Sequence, residues 1–199
     1  MLVLFMGPSG SGKTTLLKEL CDQGSFEPVV RVTTRERRDT EVPGKDYKFV
    51  TCDEFKEMLN SNQLIEVEEY SGNRYYGTSV DSVVEAVHKN ICSTITPSGL
   101  LQLCMYGVDV SHILVVLCSC LLKHRVIRYA DRVKNFTEKD KQEMCDRMAR
   151  DEGMFKGIDV ILAAAKRIYP KLDILCVDTG WFSVDEVMLE ITKKLSEIV

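Results

Sequence analysis

Gly7-Pro8-Ser9-Gly10-Ser11-Gly12-Lys13-Thr14 is the stretch whose reading decides the fold. It fits G-x-x-x-x-G-K-[ST], the spacing of a phosphate-binding loop. Leu2-Val3-Leu4-Phe5-Met6 before it is a short apolar run, as a buried parallel strand requires. Thr15-Leu16-Leu17-Lys18-Glu19-Leu20 after it reads as a helix with Leu16, Leu17 and Leu20 on one face. Glycines let backbone N–H groups turn inward around a polyphosphate, and the helix points its positive end at the same place. Lys13 adds a movable cation for the β- and γ-phosphates, and the Thr14 hydroxyl is a ligand for Mg²⁺. The loop therefore predicts a nucleoside triphosphate and says nothing of what receives its phosphate.

The chain has 199 residues, 45 % hydrophobic and 28 % charged, enough to bury a sizeable core in one domain. Its net charge of −4 does not favour nucleic acid or an anionic membrane, so an anionic substrate must be met by local arginines. Residues 2–6 lack a basic leader, and no apolar run reaches the ~20 residues of a membrane span. The eight cysteines are scattered without C-x-x-C, several within apolar runs, as expected of reduced thiols in a cytoplasmic protein. No Cys/His set has zinc spacing, and His88 and His112 are lone residues read as structural.

Onward from the first helix, residues 27–32 read as a second strand. Thr33-Thr34-Arg35-Glu36-Arg37-Arg38 follows, with three arginines within four residues, the composition of an anion site. A strand carrying Tyr47 and Phe49, a short amphipathic helix over 52–59 and an alternating strand over 64–70 come next. Ser71-Gly72-Asn73-Arg74-Tyr75-Tyr76-Gly77-Thr78-Ser79 follows, then a helix over 79–87 built on Val80, Val83, Val84 and Val87. Further elements are a strand over 91–95, a helix over 100–106, an apolar strand over 112–117 and a basic segment over 121–135 that includes Arg125, Arg128, Arg132 and Lys134. Thr137 and Asp140 make a capping-box-like start to another helix. An added helical element within 153–170, a last strand over 172–178 and an amphipathic helix over 183–195 complete the chain.

Two of these segments carry a resemblance. Thr33-Thr34-Arg35-x-x-Arg38 with Glu41-x-x-Gly44-Lys45-Asp46-Tyr47-x-Phe49-Val50, and Ile65-Glu66 with Gly72-Asn73 and Tyr76-Gly77-Thr78, resemble the acceptor-binding signatures of the guanylate kinases. The resemblance implies a three-layer α/β P-loop NTPase fold with a mainly parallel sheet, an acceptor-binding insert around 31–79 and a lid around 120–150. It implies that Arg35, Arg38, Tyr47 and Tyr76 hold the phosphate of GMP and that Glu66 and Thr78 read guanine. A carboxylate facing two adjacent donors suits guanine over adenine. Glu68, on the same face, is read as a solvated strand residue.

ATP as donor falls to Gly7, Pro8, Ser9, Gly10, Ser11, Gly12, Lys13, Thr14 and Thr15, with Mg²⁺ as cofactor. The resemblance implies that Lys13 and the lid arginines Arg132 and Arg147, with Arg128 next, carry the transfer. The expected activity is Mg²⁺-dependent phosphorylation of GMP or dGMP. The alternatives are a non-catalytic binding module of guanylate kinase type and a kinase for another base. The expected partners are the nucleotides ATP and GMP, with no nucleic acid and no membrane, in a monomer or homodimer.

The chain departs from the family pattern in five places. Arg31 stands where a serine is usual, Thr40 where a glycine is usual, and Arg74 is one residue extra. Thr94-Ile95-Thr96 replaces an acidic pair at a strand end, which predicts weaker metal binding or altered base contacts. Asp178-Thr179 stands in for the family's residues near adenine.

Overall fold

The computed structural model describes residues 1–39, 41–70, 74–84, 88–107, 111–133 and 136–198. Thr40, Gly72-Asn73, Val87 and Lys134, singled out above, lie outside the described residues.

The alternation of apolar runs and amphipathic stretches becomes a three-layer α/β structure. Strands β1 (Leu2–Met6), β2 (Glu27–Pro28), β7 (Ile91–Thr94), β8 (Ile113–Ser119) and β9 (Leu172–Asp178) form a parallel sheet in the order β2-β7-β1-β8-β9. The two-residue period of β1 serves both faces. Leu2, Leu4 and Met6 pack with Leu100, Leu103 and Cys104 of α4 (Pro97–Tyr106) and Leu162 and Ala165 of α7 (Ile158–Ile168). Val3 and Phe5 pack with Leu16 and Leu20 of α1 (Lys13–Asp22) and with Val187, Met188 and Ile191 of α8 (Val184–Ile198). Each such fully buried apolar side chain contributes about 1.5–3 kcal/mol over leaving it exposed.

A second sheet stands beside the first. Its order is β4 (Tyr47–Phe49), β3 (Arg31–Thr33), β6 (Arg74–Ser79), β5 (Leu64–Tyr70), with β5, β6 and β3 antiparallel and β3 parallel to β4. Its own small core is Val32, Phe55 and Leu64, where Phe55 comes from α2 (Cys52–Asn60). Thr51 caps α2 in a full capping box with Glu54.

The single strand read over 27–32 divides between the two sheets. Pro28 has no N–H for a ladder and sits on the edge strand, which suits it to the end of β2. Val29 still donates to the Cys92 carbonyl (2.8 Å), and the chain then crosses to start β3 at Arg31. The helix read over 79–87 begins with α3 (Val80–Val84), and residues 85–87 lie outside the described set.

After β8 come α5 (Leu122–Asp131) and α6 (Glu138–Phe155). Thr137 and Asp140 do form a capping box, each side chain meeting the other's backbone N–H. The added element is α7, whose Leu162 and Ala165 join the core beneath α4. Ser183 and Glu186 make a further reciprocal cap before α8, a pair the sequence reading passed over.

Gly99 shows how tightly the two sheets meet. A Cβ at this position of α4 would lie 2.4 Å from Glu66 Oε1 and 2.6 Å from its Cγ on β5. Neither atom can move away, because Glu66 is fully buried. Gly99→Ala is expected to cost about 1–3 kcal/mol of stability through overpacking, measured as a lower midpoint in urea unfolding.

Candidate active site

The loop after β1 is shaped by its glycines, three of which have positive φ. Gly7 has φ +154°, and a Cβ there would lie 2.4 Å from the Cys118 carbonyl oxygen on β8. Gly12 has φ +83° as the residue before α1. The loop is tied from three sides. Thr179 Oγ1 donates to the Ser11 carbonyl (2.9 Å), Arg128 Nη1 to the Gly10 carbonyl (3.2 Å), and Arg125 Nε to the Ser9 carbonyl (2.7 Å). Lys13 folds its ammonium over the loop, donating to the carbonyls of Gly7 (2.6 Å) and Pro8 (2.9 Å). Burial pushes its pKa below the ordinary lysine value, with Asp151 and Glu68 among the groups that oppose the shift.

Asp151 of α6 was not singled out in the sequence. Its Oδ2 accepts from the Ser9 backbone N–H (2.7 Å) and from Arg125 Nη2 (2.6 Å). Both charged side chains are about 10 % exposed, so this is a buried ion pair that pins α6 to the loop and to α5. A signal for it was available, because Asp151 falls on the stripe Met144, Met148, Phe155 at spacings of four, three and four. An acid on the apolar side of a helix needs a partner.

A cavity of about 460 Å³ lies between this loop, the second sheet and α6. Lys13 and Thr14 line it from the loop and the start of α1, Arg35, Arg38, Tyr47 and Tyr76 from the second sheet and the segment between its strands, Arg132 from just past the end of α5, and Arg147 from α6. Arg147 stacks over the Tyr129 ring at 5.7 Å. Arg74, Glu143, Asp146 and Arg150 also border the cavity. Arg128 faces away from it. Bound to the loop and to Thr179, Arg128 borders a second cavity of about 350 Å³ with Gly12, Thr15, Arg132 and Phe182. Asp178 turns aside to accept from the Gly180 N–H (2.8 Å).

Glu41 organises the arginines. Its Oε1 pairs with Arg35 Nη2 (2.6 Å), and its Oε2 accepts from the Arg38 backbone N–H (2.9 Å). Arg35 also lies 5.6 Å from the centre of the Tyr47 ring. Burial alone would raise the Glu41 carboxyl, but the Arg35 and Arg38 contacts outweigh it and hold the pKa below 4.5. A depressed carboxylate pKa adds stability that is complete above the unfolded value and is lost as the pH falls through the folded one. The melting temperature is therefore expected to fall on acidification below about pH 4.5, and a Glu41→Gln variant to show a shallower fall over the same window.

Three charged residues of this region are buried. Arg31 points inward and is 8 % exposed. Its Nη2 lies 3.3 Å from Glu66 Oε2, and its Nη1 reaches Thr94 Oγ1 at 3.5 Å. Glu66 also accepts the Thr78 hydroxyl (2.7 Å), so both residues assigned to the base are present as a pair, yet neither borders the large cavity. Glu68 is not a solvated strand residue. It is 9 % exposed and borders the large cavity and a recess beside Lys13.

Thr14 is exposed at the cavity, and no group of three or more His, Cys, Asp or Glu forms a cation cage among the described residues.

The family model described as Guanylate kinase matches residues 1–165. The chain is 43 % identical over 105 residues to the guanylate kinase of Lactococcus lactis subsp. lactis (strain IL1403), about 51 % of each chain. It is 43 % identical over 106 residues to that of Bacillus subtilis (strain 168), 51 % of this chain and 52 % of the relative. The chain thus spans about half the length of the curated relatives it matches. In fold, it resembles the crystal structure of guanylate kinase from Anaplasma phagocytophilum with a TM-score of 0.61 at 18 % identity, over 99 % of this chain and 85 % of that one. No helix among the described residues is long and apolar enough to cross a membrane.

Proposed function

The chain belongs to the guanylate kinase family, and from that premise we propose that it transfers the terminal phosphoryl group of ATP to GMP or dGMP. The observation that carries this reading is the cavity that faces Lys13 and Thr14 on one side and Arg35, Arg38, Tyr47 and Tyr76 on the other. One wall carries the Lys13 ammonium and the Thr14 hydroxyl, suited to a polyphosphate. The other holds planar guanidiniums and phenols, suited to a monophosphate.

The loop N–H groups and Lys13 hold the donor phosphates, and the residue 7–15 segment as a whole is the ATP site. The acceptor phosphate attacks in line, so no side-chain nucleophile is needed. Arg35 and Arg38, fixed by Glu41, hold that acceptor with Tyr47 and Tyr76. Arg132 and Arg147 neutralise charge on the transferring group. Mg²⁺, bound through Thr14 and the phosphates, would supply further charge neutralisation. The segment over 31–79 acts as the acceptor unit and that over 120–150 as the lid of one domain, in a cytoplasmic enzyme.

A coupled ADP-release assay with ATP, Mg²⁺ and each of GMP, dGMP, AMP, CMP and UMP tests the proposal. Turnover with GMP or dGMP is expected. Turnover with a different monophosphate alone would replace the acceptor. No turnover with any of the five would leave a binding module as the reading.

A further inference from the structure

All eight cysteines are free thiols, and Cys21 and Cys92 touch. The sulfur of Cys21, near the end of α1, lies 3.4 Å from the sulfur of Cys92 on β7. Their settings differ. Cys92 is fully buried with Leu16, Leu20 and Phe26, whereas Cys21 is half-buried at the rim of that core. A small oxidant therefore reaches Cys21 first. A disulfide holds its sulfurs about 2.05 Å apart, so a short approach separates this contact from a bond. The place of the contact also matters. Pro28 of β2 stands opposite Cys92 in the parallel sheet, and the chain leaves that sheet just afterwards to begin β3. It returns at β7. The stretch between the two cysteines, 71 positions apart, thus contains the whole second sheet.

We propose that Cys21 and Cys92 form an oxidation site, closed to an intramolecular disulfide by hydrogen peroxide, and that the bond staples the neck where the second sheet leaves the parallel one and returns to it. Cys21 gives up its proton, and its sulfur takes one peroxide oxygen as the O–O bond breaks. The other oxygen leaves as hydroxide and takes that proton, becoming water. The Cys92 sulfur then attacks the sulfenic sulfur of Cys21. The hydroxyl group departs with the Cys92 proton as a second water. Two thiols thus give two electrons to one peroxide. Burial raises the pKa of both thiols, which leaves little thiolate at neutral pH and makes the first step slow. The second step needs no encounter, because the partner sulfur is already in contact. Neither cysteine borders the large cavity, so the test does not depend on the kinase reading.

The test is treatment of the whole chain with hydrogen peroxide, at a protein dilution that suppresses links between molecules, beside the Cys21→Ser and Cys92→Ala variants. A non-reducing peptide digest and a melting curve are the readouts. The unmodified protein is expected to yield a linked Cys21–Cys92 peptide and to melt about 5–10 °C higher, because closing a long loop restricts the unfolded chain. Dithiothreitol is expected to reverse both. Neither variant is expected to show the link or the rise under the same treatment. Oxygen added to Cys21 with no link to Cys92 overturns the proposal, as does a link from Cys21 to another cysteine. So does survival of both thiols long after the exposed Cys145 and Cys176 are oxidised. A link that leaves the melting temperature unchanged or lower overturns the stapling. If Cys92→Ala does not fold, the unmodified protein and Cys21→Ser, altered at a half-buried position, still decide.

Discussion

Lys13→Ala is expected to lower turnover by about 10²–10³-fold or more, the cost of losing a preorganised cation at a transferring phosphoryl group. The expectation comes from position. The ammonium sits on the carbonyls of Gly7 and Pro8, within the loop it would serve, and needs only side-chain rotation to reach a phosphate. The fold should survive, because Leu16 and Leu20, not Lys13, bury α1 against the sheet. Steady-state kinetics with ATP and GMP, beside a far-ultraviolet circular dichroism spectrum and a melting curve, check both halves. A variant that keeps more than about a tenth of the turnover would remove Lys13 from the mechanism.

Arg125→Ala is expected to be among the most damaging substitutions for stability. It removes the partner of Asp151 and leaves a carboxylate buried beside the loop. Breaking such a pair costs about 3–5 kcal/mol, roughly 10 °C in melting temperature for a chain of this size. The same reasoning makes a contrary prediction. Replacing both partners, Arg125→Met with Asp151→Leu, should recover most of that loss, since packed apolar residues match or exceed many buried ion pairs. Unfolding of the two single variants and the double variant gives the coupling directly. A double variant no more stable than Arg125→Ala would mean that the Arg125 contact with the Ser9 carbonyl, rather than the ion pair, carries the stability.

What the sequence made legible was what repeats locally. The apolar runs of β1, β8 and β9 and the glycine loop sufficed for the parallel sheet and its helices, because a strand's period and a capping pair such as Thr137 and Asp140 are properties of a few adjacent residues. The arginine cluster and the two tyrosines were also recognisable, and they do gather around one cavity. Burial of charge was not legible. Arg31, Glu68 and Arg125 look like surface residues until the partners that neutralise or enclose them are known, and Arg31 and Arg125 have theirs on other elements, Glu66 on β5 and Asp151 on α6. The division of residues 27–32 between two sheets was hidden for the same reason, since both halves are extended and only their pairing distinguishes them.

The hydrogen bond from Thr179 to Ser11 joins positions 168 residues apart. Arg128 bridges the same two segments, through Gly10 and Thr179. The glycine loop is thus an early piece of chain whose final shape depends on residues just after β9. Contacts of such separation carry a high loop-closure entropy and form late in folding. A chain emerging from the ribosome can complete β1 and α1 long before that tie exists. Competence to grip a polyphosphate should therefore be among the last properties acquired, trailing most of the secondary structure in a refolding time course.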